Sequence, residues 1–173
     1  MDETDEFKDK PRLTEVRHAA LALLKTCGIS EAPVRINSVL AELHKSFDIA
    51  VMGATETEIG SKIDAVTKRD GTEVYILYNK SRHVHRQRFS FAHEIGHLQM
   101  GHVHQGSQID IDSTNIKESE ANHFAAHILM PPAFLRKDVK AGMKDVKALS
   151  DKYQVSELAM WWQIKQAGLL NLL

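Results

Sequence analysis

The sequence predicts an α+β fold: a small antiparallel or mixed sheet packed by N-terminal and C-terminal helices. Three observations carry this. Apolar residues recur at helical spacing in the first 45 residues and again after residue 86. Short strand-like runs lie between those stretches, two of them joined through Asp70-Gly71. The order is helices, strands, helices, with no alternation that would build a parallel α/β sheet.

Taken in order, residues 1–12 begin MDETDEFKDK and read as a disordered acidic tail with no apolar core of a signal peptide. Leu13, Val16, Ala20, Leu23 and Cys27 then fall on one helical face, and Gly28 is placed to stop that helix. A second short helix fits Ile36, Val39, Leu40 and Leu43, with Asn37 or Ser38 as its cap. Residues 48–52 read as a strand. Residues 63–67 and 72–78 read as two more, and Asp-Gly suits the turn between them because it accepts positive φ. Residues 86–100 are helical in pattern up to Gly101, and residues 115–130 form the next helix, ended by Pro131-Pro132. Two or three short helices fill residues 133–173. The expected division is a core over residues 13–138 and a C-terminal helical segment over residues 139–173, packed on that core.

Composition narrows the function. With 43% apolar and 26% charged residues and a formal net charge of -1, nothing global points to nucleic acid or an anionic membrane as partner. Cys27 is the single cysteine, so an internal disulfide or a cysteine-rich zinc site is excluded. No apolar run approaches the roughly 18 residues of a membrane span, and the expected location is the cytoplasm.

The chemical signal is His93-Glu94-Ile95-Gly96-His97, an HExxH sequence. On a helix, positions i and i+4 stand one turn apart on one face, so two imidazoles there can reach one zinc. Glu94, roughly 100° round the helix, is placed to take a proton from a water at that metal. Phe91, Ile95 and Leu98 fall on the opposite face and suit burial, while Gly96 leaves the ligand face unobstructed.

A catalytic zinc needs a third protein ligand. The downstream candidates are His102, His104, Glu118, Glu120, His123 and His127. A metzincin spacing would need Gly at 100 and His at 103, where this chain has Met100 and Val103. His102 and His104 follow the helix stop and could reach back only by a tight turn. In the helix from 115, the apolar stripe is Ala121, Phe124, Ala125, Ile128 and Leu129. Glu118 lies within the stripe, roughly 50° from its centre, and Glu120 lies past its edge. A carboxylate on a buried face needs a partner, so the count favours Glu118. A capping box with Asn115 and a ligand role for Glu120 stay open. Asn122, one turn on, can hydrogen-bond a ligand histidine. His123 and His127 read as solvated.

RFSFAHEIGH at residues 88–97 resembles the active helix of the ImmA/IrrE metallopeptidases, and ESEANHFAAHILMP at 118–131 resembles that family's second signature. Asn79, the hairpin and the N-terminal helices are also similar, and the likeness extends over residues 13 to about 170. It implies a zincin-type active-site helix of the gluzincin kind, one zinc held by His93, His97 and Glu118, Glu94 as catalytic base, and Asn122 behind the ligands. It further implies a prophage or mobile-element setting and anti-repressor activity, with a helix-turn-helix transcriptional repressor as the protein substrate. The competing reading is a non-proteolytic anti-repressor or antitoxin-like binding protein with a structural or vestigial zinc site. Glu94→Gln separates the two.

LSDKYQVSELAM at 149–160 reads helix, turn, helix, with Val155-Ser156 as turn and cap. A DNA-reading helix carries Arg, Lys, Asn or Gln near its start. This one offers Glu157, Leu158, Ala159, Met160, Trp161 and Trp162, and Gln163 stands where many family members have arginine. Packing or partner recognition is therefore expected of it rather than DNA binding. Residues 80–88, with four basic side chains and two histidines, form the entry to the active helix. Tyr78, His83 and His85 are the candidates for oxyanion or substrate contacts. The strand at 72–78 is expected to pair with an extended substrate.

Overall fold

A computed structural model describes residues 10–103 and 115–173. The fold is α+β, with a three-stranded mixed sheet among helices. The elements are α1 (Leu13–Thr26), α2 (Ile36–Leu43), β1 (Asp48–Ala54), α3 (Glu56–Ile59), β2 (Ala65–Asp70), β3 (Glu73–Asn79), α4 (Val84–Gln99), α5 (Asn115–Leu129), α6 (Pro132–Lys140), α7 (Val146–Tyr153) and α8 (Glu157–Gln166), followed by a short 3-10 turn at Leu170–Leu172. Residues 1–9 of the expected tail, His104 and the Asn115 side chain lie outside the described residues.

The strand order is β1-β3-β2. β3 runs parallel to β1 from Asp48↔Glu73 to Ala54↔Asn79, and antiparallel to β2 from Ala65↔Tyr78 to Asp70↔Glu73. The tight turn between β2 and β3 is made by Gly71 at φ 60° with Thr72, while Asp70 stays in the ladder. α4 packs on β2 and β3 with one side and on α5 with another, and α1 also packs on α5. The buried residues follow from the apolar stripes. Val16, Ala20, Leu23 and Leu24 come from α1, Phe91, Ile95 and Leu98 from α4, and Ala121, Phe124, Ala125, Ile128 and Leu129 from α5. Burying the larger of these side chains, at about 1.5–3 kcal/mol for each Val, Leu, Ile or Phe, drives the assembly.

Local chemistry sets the ends. α2 starts after Arg35 with no side-chain cap, so Asn37 and Ser38 lie inside the helix rather than capping it. α8 is capped by Ser156, whose hydroxyl accepts from the Ala159 N–H at 3.2 Å. Gln154, at φ 56°, makes the turn between α7 and α8. The C-terminal helices are tied to the rest by Tyr153 and Lys152 donating to Asp138 (2.8 and 2.6 Å), and by the Gln163 amide donating to the Met130 carbonyl at 2.9 Å.

Candidate metal centre and groove

α4 ends in a Schellman turn, and this turn shapes the site. Gly101, at φ 71°, lets the His102 N–H return to the His97 carbonyl (2.9 Å), and the Gly101 N–H to Leu98 (3.2 Å). The tight turn that His102 needs in order to reach back is therefore made, and it lays His102 against His97. α5 approaches α4 very closely. A Cβ on Gly96 would stand 3.0 Å from the Phe124 Cβ and 3.1 Å from the Ala121 backbone. Gly96 thus serves the helix contact, not an open ligand face.

This close approach brings the two signatures together. His93 Nε2 and His97 Nε2 are 2.9 Å apart. Glu118 reaches both, Oε2 to His93 Nε2 and Oε1 to His97 Nε2, each at 3.2 Å. One ligand atom from each residue lies within 4.8 Å of the others. His93 Nδ1 is 2.9 Å from Asn122 Oδ1, an acceptor, which favours a proton on Nδ1; a neutral His93 then turns its Nε2 lone pair toward Glu118. Two imidazole nitrogens and a carboxylate meeting at one point are a donor set that fits zinc or a similar divalent cation.

Glu94 is 4% exposed and accepts from the Thr67 hydroxyl at 2.7 Å. Burial lifts its carboxyl above the ordinary value, against the opposing pull of the Thr67 hydrogen bond and the two histidines. Glu120 is the fully buried carboxylate of α5, at 1% exposure, whereas the Glu118 side chain is 40% exposed and faces the groove. Helical counting had ranked the two the other way. Burial pushes the Glu120 carboxyl up, but hydrogen bonds from Arg12 and His102 outweigh this and hold its pKa at about 2.

A groove of about 880 Å³ opens over His93, Glu94 and Glu118. One wall is the start of β2 with the residues before it, 62–66, and the other is Val155, Ser156, Leu158, Ala159 and Trp162 of the α8 region. His83 and His85 stand on its rim, their rings perpendicular and 4.8 Å apart. Tyr78 is placed elsewhere, with its hydroxyl against Gly53 and its ring edge-on to Phe91. His123 and His127 are half-buried, and a His127 ring nitrogen bonds the His123 carbonyl at 2.8 Å. Strand β3 is paired on both sides, so it offers no edge to a substrate. Among the described residues β2 has β3 as its sole strand partner, and it is the strand that borders the groove.

A mixed sheet carrying an HExxH helix, with a glutamate arriving from the following helix, is a zincin-like arrangement. The chain belongs to the peptidase family described as the IrrE N-terminal-like domain, which it matches over residues 45–161. Its fold is also similar to the solved structure of a Mycobacterium tuberculosis transcriptional regulator. The TM-score is 0.60 at 15% identity, over 87% of this chain and 46% of that one. The chain therefore spans about half the length of that regulator. No curated protein matches the sequence.

Proposed function

We propose that this chain is a zinc-dependent endopeptidase that cleaves and inactivates a helix-turn-helix transcriptional repressor. The observation that carries the reading is the meeting of His93, His97 and Glu118 beside a buried Glu94 on the floor of a groove. His93, His97 and Glu118 would hold the zinc. When bound, zinc supplies Lewis-acid polarisation of the scissile carbonyl and lowers the pKa of a water toward about 7.

Glu94 takes the proton of the attacking water and returns it to the leaving amine. Thr67 holds one carboxylate oxygen, Oε2, and so keeps Glu94 turned to the site. The β2 edge aligns an extended peptide by main-chain hydrogen bonds, and Leu158 and Trp162 receive its apolar side chains. His85 or His83 at the rim supplies a donor to the oxyanion. The C-terminal segment, residues 139–173, serves as a wall of the substrate groove rather than as a DNA reader.

The test is incubation of the zinc-loaded protein with a helix-turn-helix repressor. Wild type yields discrete fragments, and Glu94→Gln slows cleavage by about 10²–10⁴-fold. An intact repressor, with both proteins folded, overturns the reading. Anti-repressor activity that survives Glu94→Gln would instead mark a stoichiometric binding protein.

A further inference from the structure

Behind His97 a line of hydrogen bonds leaves the candidate metal site and ends where α1 begins. His97 Nδ1 lies 3.1 Å from His102 Nδ1. His102 Nε2 lies 2.8 Å from Glu120 Oε2. Arg12, the residue before α1, clasps Glu120 three times: Nε to Oε1 at 3.0 Å, a terminal guanidinium nitrogen to Oε2 at 2.7 Å, and the backbone N–H to Oε1 at 2.7 Å. The same terminal nitrogen also donates to the Met100 carbonyl at 3.2 Å.

We propose that His102, Glu120 and Arg12 are positioning residues that fix the tautomer of His97, leaving its Nε2 bare and facing the metal position. The proposal rests on the metal-site reading above. The logic runs inward from Arg12. A carboxylate gripped by a guanidinium accepts and does not donate, so the proton of the His102–Glu120 contact belongs to His102 Nε2. A neutral imidazole protonated there presents a bare Nδ1. The His97–His102 contact needs one donor, which must then be His97 Nδ1–H. His97 Nε2 is left as a lone pair, 3.2 Å from Glu118 Oε1. His93 reaches the same state through Asn122 in one step. Two ligands are thus prepared alike by different means, one from within α5 and one from the start of the α1 helix.

The relay is rigid. His97 and Glu120 are each 1% exposed and His102 is 9% exposed. The Schellman turn pins the His102 backbone to His97 itself. Arg12 stands 3.4 Å from His102 Nε2, and with Nε2 protonated two donors face each other there, so that contact adds no hydrogen bond. An ion pair kept only for stability would be indifferent to which His97 nitrogen carries the proton. The two roles therefore separate by measurement.

The first readout needs no variant. Imidazole ¹⁵N spectra of the zinc-free wild-type protein at mildly alkaline pH report each tautomer. His97 is expected as Nδ1–H and His102 as Nε2–H, and His97 found as Nε2–H, or averaging between tautomers, overturns the proposal. The second readout is zinc affinity by chelator competition. His102→Leu is expected to weaken binding about 10–100-fold. His102→Asn, whose amide oxygen can replace the Nδ1 acceptor, should recover most of that loss. Should the leucine variant fail to fold, Arg12→Met, at a side chain 45% exposed, is expected to weaken zinc in the same direction. Affinity unchanged in the folded variants overturns the proposal. Failure of the metal-site reading looks different: wild type and Glu118→Gln would bind zinc equally poorly, while the His97 tautomer could still be read.

Discussion

Thr67 and Gly96 show how much of this site hangs on single atoms. The Thr67 hydroxyl meets Glu94 at 2.7 Å, and both residues are buried. Thr67→Val removes a hydrogen bond to a charged group, about 1.5 kcal/mol. Steady-state kinetics on a cleaved substrate should then show kcat down roughly tenfold with KM little changed. Gly96→Ala places a methyl 3.0–3.1 Å from Phe124 and the Ala121 backbone, and helix backbone cannot yield cheaply. The expected cost is about 1–3 kcal/mol in urea unfolding, with weaker zinc binding because Glu118 and Asn122 ride on the displaced α5. At this scale the sequence was informative about type and spacing. The pair His93 and His97 follows from helical geometry alone. Glu118 and Glu120 did not sort by burial, because the groove that exposes Glu118 and the Arg12 that buries Glu120 are both built from distant parts of the chain.

Two elements carry consequences of their own. The residues leading into β2 are fastened to the approach of α4 through Asp64, which accepts from Arg82 Nε at 2.8 Å and from Arg86 at 2.6 and 2.8 Å. Burial pushes the Asp64 carboxyl up, but the bonds from Arg86 and Arg82 prevail and set its pKa below the ordinary value. A carboxyl depressed on folding stabilises above its unfolded pKa of about 3.9 and loses that contribution as pH falls through the folded value. Asp64→Asn should therefore cost a few tenths to about 1 kcal/mol at neutral pH. Unfolding curves of mutant and wild type should converge below about pH 4. α8 makes a different prediction. Trp161 and Trp162 stand perpendicular with Lys165 Nζ 5.3 and 5.1 Å from their ring centres, and Trp162 is 48% exposed on the groove wall. Trp162→Ala should raise KM for a protein substrate about five- to tenfold, roughly the 1–1.5 kcal/mol of a partly buried ring. Thermal stability should move by less than about 0.5 kcal/mol. The helix-turn-helix pattern was legible in sequence through Ser156 and its spacing. What the pattern could not tell is which cavity the helix would face.

For the molecule as a whole, the α+β class was legible because amphipathic stripes report the local period. The hairpin was legible through its glycine. α3, with four residues, gives no periodic signal. The parallel pairing of β1 with β3 depends on partners far apart in sequence, so the reading of strand 72–78 as a substrate partner missed that both its sides are taken. If His93, His97 and Glu118 hold zinc as proposed, the bound metal would staple α4 to α5. Zinc at a hundredfold its dissociation constant would add about 2.7 kcal/mol. Adding a chelator to zinc-loaded protein should therefore lower the melting temperature by about 5–10 °C. The strand order has one further consequence. If the edge of β2 aligns the substrate as proposed, the groove would accept only a backbone whose own N–H and C=O groups are unengaged. A bond inside an intact helix would then be closed to it. In a helical repressor the susceptible bond must then lie in a linker or in a turn that opens transiently, and cutting would follow the frequency of that opening. Selectivity would reside as much in the looseness of the target as in the shape of the enzyme.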